Sequence, residues 1–527
     1  MTNRLAACLC AAGLALFAAL VYLHALGQTP IALHGDEVQF AMQSYSIATT
    51  GRDLNGHSMP FFFAIADPLI KNNHTIVWFQ PMLFYLQAVA LKVLPLSEAA
   101  IRAPTVVIGV IDVVLLFAVG RYVFPRMWQA ALAAALLAIS PAHVIFSRVA
   151  MDYICPLPFV LGWLLCLASY FRQRREWLLV AAGLLLGAGF FSYIAAWVMM
   201  PLYVAVTCIA LWWTSDRRVR AILLVCGGFA VPLFAGWVWS NPVMIHDTLL
   251  RYKIIGAPRD PLFGGQGGIG VEVLTRASVY WDYFNPSYLF LSGGSRLVDS
   301  TRRAGVLLAP MAVFLVVGVV DLWRRRDVVF NRILLAGLLL APVAAAMLDE
   351  RYRSDRELVL LPFGVLISVF GVSRLWTRHG VARLAVLALC LASAIQFAFF
   401  YRDYLTDYRV RSEVWFDPYD FRKISQYVVS TDAEQRVPAV YLSPLIDYAG
   451  YRWKFYLQQR DRNDLFERTQ YLPANADLSG VVPGSLLVFA SQDPALDTVL
   501  KTGRCTVAAT VLNEVGSKAA VVLRVAG

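Results

Sequence analysis

The chain reads as an α-helical polytopic membrane protein with about eleven transmembrane helices and a small C-terminal α/β domain, and three observations carry that reading. Hydrophobic residues fill 59% of its 527 positions against 15% charged, and the mean hydropathy is +0.59. Apolar runs of roughly 18 to 23 residues recur, each long enough to cross a hydrocarbon core about 30 Å thick. Residues 402–527 differ in kind, with strand-length β-rich runs set between helical stretches.

Taken in order, the predicted spans are 4–26, 101–123, 127–145, 154–171, 177–194, 195–213, 220–240, 304–323, 329–348, 357–375 and 381–401. The first is long for a signal-peptide core, and Leu5-Ala6-Ala7-Cys8 precedes the apolar stretch where a lipoprotein box would end it, so a retained anchor is expected. Segment 79–95 is apolar but short, aromatic at its head and bounded by Pro95. Charge parity argues that it does not cross. With the N-terminus cytoplasmic and 79–95 left out, the clusters around Arg121, Arg172, Arg217, Arg324 and Arg374 all fall on the cytoplasmic side; counting it turns every one outward. The outward segments are then 28–100, the turn 148–153, 241–303, 349–357 and the tail. Within the first, residues 38–50 show a loose helical period that predicts an amphipathic helix at the interface. In the tail, strands are expected near 439–442, 485–490, 506–512 and 519–525, and helices at 421–430 and 493–501. The domain division follows: 1–401 in the membrane with outer loops 28–100 and 241–303, and 402–527 a soluble extracytoplasmic unit.

A net charge of +11 raises nucleic acid as a partner. The tail, however, balances 15 Lys+Arg against 15 Asp+Glu, so the excess lies in the membrane part, where orientation signals or a groove for an anionic lipid explain it. No nucleic-acid partner is expected. Seven of eight cysteines lie in or beside apolar spans with no ligand-like spacing, and they read as small core residues.

The chemistry-bearing feature is Asp36-Glu37, adjacent carboxylates just past the first span, where placing charge is costly unless something uses it. Asp152, after Ser147-Arg148, is a second outer acid. Arg148, Arg302, Arg303, Arg351, Arg353 and Arg356 could meet a phosphate, because planar guanidinium binds it bidentately; ion pairing with Asp349, Glu350 and Asp355 is the competing reading. His34, His57 and His74 share the first outer segment with Asp67, where a divalent metal could be held; their spacing matches no ligand motif, so they read as solvated loop histidines and no cofactor is expected. Gly264-Gly265-Gln266-Gly267-Gly268 lacks the lysine of a nucleotide loop and reads as a flap.

Residues 28–124 resemble the GT-C superfamily of membrane glycosyltransferases, in the branch of protein O-mannosyltransferases and the lipid A aminoarabinose transferase. Gly35-Asp36-Glu37 with Tyr45 and Thr50-Gly51 behind it, Gln80-Pro81-Met82-Leu83-Phe84-Tyr85, and Glu98-Ala99-Ala100-Ile101-Arg102-Ala103-Pro104 carry the likeness. It continues more weakly through Asp152, Asn285-Pro286-Ser287-Tyr288 and Arg351 to Pro362. Where many members have Lys-Pro-Pro this chain has Gln80-Pro81-Met82, without the positive charge. The resemblance implies transfer of a sugar from a polyprenyl-phosphate donor to an acceptor hydroxyl of a protein, lipid or glycan on the outer face of a plasma or inner membrane. It assigns Asp36 as the catalytic carboxylate, supported by Glu37 and Asp152, with Arg148, Tyr45, Gln80, Arg351, Arg353 and Arg356 binding substrate. Two other classes fit the topology, a lipid-linked sugar flippase and a non-catalytic polyprenyl-phosphate binder. Carriers, however, place acids within spans and show paired halves, whereas Asp112 is the one acid well inside a span here.

Overall fold

The computed structural model describes residues 2–70, 77–240, 242–251, 268–347, 351–378, 380–473 and 477–526. His74, Asp349, Glu350 and Gly264 to Gly267 lie outside the described residues.

Every predicted span carries helix. They are α1 (Thr2–Leu23), α4 (Glu98–Val123), α5 (Met127–Ala138) continued by α6 (Pro141–Phe146), α7 (Leu157–Gln173), α8 (Trp177–Gly189), α9 (Ala196–Thr214), α10 (Arg218–Trp239), α13 (Met311–Arg324), α14 (Val329–Leu340) with α15 (Val343–Ala346), α16 (Leu360–Trp376) and α17 (Val381–Leu405). Seven of these segments are both long and apolar enough to cross a membrane. Between them stand α2 (Gly35–Thr50), α3 (Met82–Leu91), α11 (Pro242–Arg251) and α12 (Gly268–Asp282). At ten residues, α3 rises only about 15 Å, half a hydrocarbon core.

Lipid offers little hydrophobic drive for helices to associate, so close approach depends on small residues. A Cβ at Gly318 would strike the Ile367 carbonyl, and one at Gly371 the Phe314 carbonyl, so α13 and α16 touch backbone to backbone. Gly183 and Gly228 do the same for α8 and α10.

The tail holds a five-stranded sheet in the order β4-β3-β5-β7-β6, from β3 (Val440–Leu442), β4 (Thr469–Tyr471), β5 (Leu486–Ala490), β6 (Cys505–Leu512) and β7 (Lys518–Val525). β3 pairs in parallel with β4 and β5, and the remaining pairs are antiparallel. Helices Phe421–Glu434 and Pro494–Lys501 lie where expected; β4 and helix Ala449–Gln459 were not foreseen. A second, two-stranded sheet pairs β1 (Phe63–Ile65) with β2 (Val77–Phe79) in the first loop.

One expectation is corrected. Instead of lying on lipid with one apolar face, α2 is sandwiched between α3 and helix Ala449–Gln459 of the tail. Its polar side chains are therefore buried and bonded: Gln43 accepts from the Leu54 amide at 3.0 Å, and Ser44 donates to Gln87 at 2.9 Å. Covering on both sides explains why the sequence period was loose. The tail is fastened to the loop directly, with Arg452 donating to the Leu33 carbonyl (2.8 Å), Tyr451 to the Ala66 carbonyl (2.7 Å) and Tyr471 to Asp67 (2.7 Å).

Candidate active site

The first turn of α2 builds the site. His34 is its N-cap, accepting the Asp36 amide on Nδ1 at 3.2 Å, while Glu37 reaches back to the His34 amide at 2.9 Å to close a capping box. Asp36 is therefore not the cap. Its carboxylate, 24% exposed, sits in the first helical turn, where the macrodipole favours negative charge. His34 Nδ1 lies 3.7 Å from that carboxylate but is occupied as an acceptor of the Asp36 amide, and burial lowers the imidazole's pKa.

Neighbouring helical residues point about 100° apart, and Glu37 accordingly turns inward. It accepts from Arg102 Nε (2.9 Å) and Nη2 (3.1 Å), the Ala150 amide (2.8 Å) and the His34 amide (2.9 Å). Burial raises its pKa, but Arg102 and these amides outweigh that and hold it below the usual range. With both oxygens doubly engaged, Glu37 is placed as a structural anion. Arg102 spends its remaining donors on the carbonyls of Leu26, Pro30 and Ala32, tying the entry of α2 to α4.

Asp36 faces a cavity of about 310 Å³ that also receives Asp152, Gln80, Arg353 and Arg356 from the predicted set. His34 and Asp355, read from the sequence as a candidate metal-site histidine and an ion-pair partner, line it too, and sequence reasoning missed Trp78, Tyr153, Tyr193, Arg251, Arg296 and Tyr448. Arg296 follows Gly293-Gly294-Ser295 in the same inter-helix segment as Arg302 and Arg303, and its guanidinium is the same kind of phosphate-binding group. Tyr448 reaches in from the tail, and its ring occupies the space a Cβ at position 35 would need, so Gly35 is what lets the tail close over Asp36.

The other predicted residues are elsewhere. Arg148 is buried, donates to the carbonyls of Val21 (3.1 Å), Tyr22 (2.6 Å) and Thr29 (3.3 Å), and stacks over Tyr404, so it caps the end of α1. Arg351 pairs with Asp282 at 2.9 Å, and Tyr45 meets Gln458 of the tail at 3.4 Å. Arg302 stacks on Trp415, and Arg303 pairs with Asp403 and Asp407. His57 lies beside Asp53 at 3.1 Å, and Asp67 accepts from Tyr471, so these two face different partners.

In the cavity wall two guanidiniums alternate with two acids, of which Asp299 alone stands behind the lining. Arg296 pairs with Asp299 at 2.8 Å and with Asp355 at 3.6 Å, while Arg353 meets Asp355 at 2.9 Å and Asp299 at 3.8 Å. Burial and the adjacent Asp355 push the Asp299 carboxyl up to about 7, against the pull of Arg296 and Arg353. Burial acts on Asp355 as well, but Arg353 and Arg296 outweigh it and hold Asp355 below the usual carboxylate range. The lining thus brings three carboxylates and four arginines to one polar chamber at one end of the bundle.

Comparison with known proteins agrees with this architecture. The family described as dolichyl-phosphate-mannose-protein mannosyltransferase matches residues 74–239. No curated protein matches the chain. ArnT from Cupriavidus metallidurans bound to undecaprenyl phosphate is similar in fold, with a TM-score of 0.56 at 13% identity over 96% of this chain and 97% of that one. Its apo state gives 0.55 at 13% identity, over 96% and 95%. The archaeal oligosaccharyltransferase AglB from Archaeoglobus fulgidus, in complex with an inhibitory peptide and a dolichol-phosphate, gives 0.50 at 11% identity over 86% of this chain and 64% of that one. The chain is thus matched in sequence by that family over residues 74–239, about a third of its length, and shares the fold of these solved membrane proteins over nearly all of it.

Proposed function

We propose that the protein transfers one sugar from a polyprenyl-phosphate donor to an acceptor hydroxyl, on the extracytoplasmic face of the membrane. The observation that carries this reading is that Asp36, left uncommitted by the helix cap, shares one cavity with Arg251, Arg296, Arg353 and Arg356. Asp36 takes the proton of the acceptor hydroxyl as its oxygen attacks the anomeric carbon. The bond from that carbon to the phosphate oxygen breaks, and the polyprenyl phosphate departs with its negative charge beside the arginines. Asp152 orients the acceptor and Gln80 the sugar. The arginines supply the charge that Lys-Pro-Pro provides in many relatives and Gln80-Pro81-Met82 does not.

A phosphodiester donor carries a single negative charge, which one or two guanidiniums satisfy without the metal that nucleotide diphosphates need. The purified protein is therefore expected to turn over a lipid-linked sugar in the presence of a chelator and to ignore the matching nucleotide sugar. Efficient use of the nucleotide sugar, or strict dependence on added divalent metal, would sink the donor assignment. Binding of the lipid-linked sugar without turnover, or its movement across the bilayer, would instead favour the binder or the flippase.

Donor affinity should also depend on pH. Above about pH 8 the Arg296, Arg353, Asp299 and Asp355 group is neutral; as pH falls through about 7, Asp299 takes up a proton and the group becomes positive by one charge. The phosphodiester keeps its charge over this range, so its dissociation constant is expected to fall several-fold towards about pH 6. Asp299→Asn should bind at the tight level throughout. Identical pH slopes for wild type and Asp299→Asn would show that another group is responsible.

A further inference from the structure

Asp112 lies fully buried on α4, and neither of its carboxylate oxygens has a hydrogen-bond partner among the described residues. Facing it from α6 is His143, whose Nε2 is 3.5 Å from Asp112 Oδ2 and is likewise without a hydrogen bond. The other ring nitrogen, Nδ1, is 2.9 Å from the Tyr22 hydroxyl, and that hydroxyl is 3.1 Å from the Ala138 carbonyl. A hydroxyl has one proton to give. Tyr22 gives it either to Ala138 or to Nδ1, and neither choice makes a hydrogen bond to Asp112 in this geometry. Ionised beside a neutral imidazole, the Asp112 carboxylate is an uncompensated charge in a medium without water. One added proton resolves this, and the pair is neutral overall whether it rests on Oδ2 or on Nε2. A polar pair at such depth marks function more often than chance.

The same two elements meet again towards the cavity. The Thr105 hydroxyl of α4 lies between the Arg102 carbonyl at 2.8 Å and the Ser147 carbonyl just past α6 at 3.3 Å, and the Ser147 hydroxyl fills the space a Cβ at Gly109 would need. Further along, Arg102 of α4 and the Ala150 amide beyond α6 converge on Glu37 from two sides. Asp36 is the next residue.

We propose that Asp112 and His143 share a single proton inside the bundle and act as positioning residues, setting the register of α4 on α6 through which Glu37 is gripped and Asp36 is presented to the cavity. The positioning half rests on the transferase reading above; the proton-sharing half does not.

Infrared difference spectroscopy of wild type against Asp112→Asn, with isotope-labelled aspartate, tests the proton directly and without substrate. The expected result is loss of a protonated-carboxyl band, or of a carboxylate band together with an imidazolium band that His143→Gln also removes. A carboxylate band beside a neutral His143 ring would overturn the proposal. For positioning, Asp112→Asn, whose amide can donate to Nε2, should keep turnover close to wild type. Asp112→Leu combined with His143→Phe should leave KM little changed while kcat falls about tenfold or more, since small misplacements of reacting groups are that costly. Full turnover in the apolar pair would remove the positioning role. Should that pair fail to fold, an Asp112→Asn enzyme as impaired as Asp112→Ala would remove it equally. If no form turns over a lipid-linked sugar, the infrared result still decides the shared proton by itself.

Discussion

Asp36→Asn is expected to abolish sugar transfer while leaving the protein folded, with a rate loss of about 10² to 10⁴, the usual cost of removing a general base. Separation of the two effects is possible because the cap of α2 is made by His34 and Glu37 rather than by Asp36. An amide of the same shape at position 36 disturbs neither hydrogen bond. Thermal melting in detergent and binding of the proposed polyprenyl-phosphate donor should both stay near wild type, and single-turnover transfer should be lost. Near-normal turnover by Asp36→Asn would move the base assignment to Asp152, and Asp152→Asn would become the variant to measure.

The largest effect on stability is expected from Arg102→Leu. Arg102 is fully buried and closes both an ion pair to Glu37 and three carbonyl contacts at the start of the first loop. Removing it strands the Glu37 charge in the core, and breaking one side of a buried pair costs about 3 to 5 kcal/mol. Because the stranded charge supplies most of that penalty, Arg102→Leu with Glu37→Leu should recover part of it. A double variant whose loss equals the sum of the two single losses would mean that the residues are not coupled. Melting temperature reads this directly, and cleavage of the 28–100 loop by added protease should rise in step with it.

The spans, the chain's helical membrane class and the tail sheet were legible in the sequence because they rest on local or periodic properties. An apolar run declares its length, and a β-rich run between turn residues declares a strand; Met82–Leu91, which arginine parity leaves out of the count, is a helix of ten residues. The site was legible in part for the same reason: Asp36, Asp152, Gln80, Arg353 and Arg356 stand in segments that the parity argument puts on one side, and they do line one cavity. Adjacency misled at Glu37. Successive side chains on a helix diverge, so one carboxylate reaches the cavity and the next is swallowed by Arg102. Arg148 and Arg351 share the composition of phosphate-binding residues, yet the end of α1 and Asp282 claim them, a choice made by whichever partner the fold brings near. What the sequence by itself determined was the kind of molecule and the acid at its mouth. Which arginines face that acid, that Tyr448 closes over it from more than four hundred residues away, and that Asp112 meets His143 within the bundle were decided by tertiary packing alone, because side-chain direction and long-range contact are not periodic in the chain.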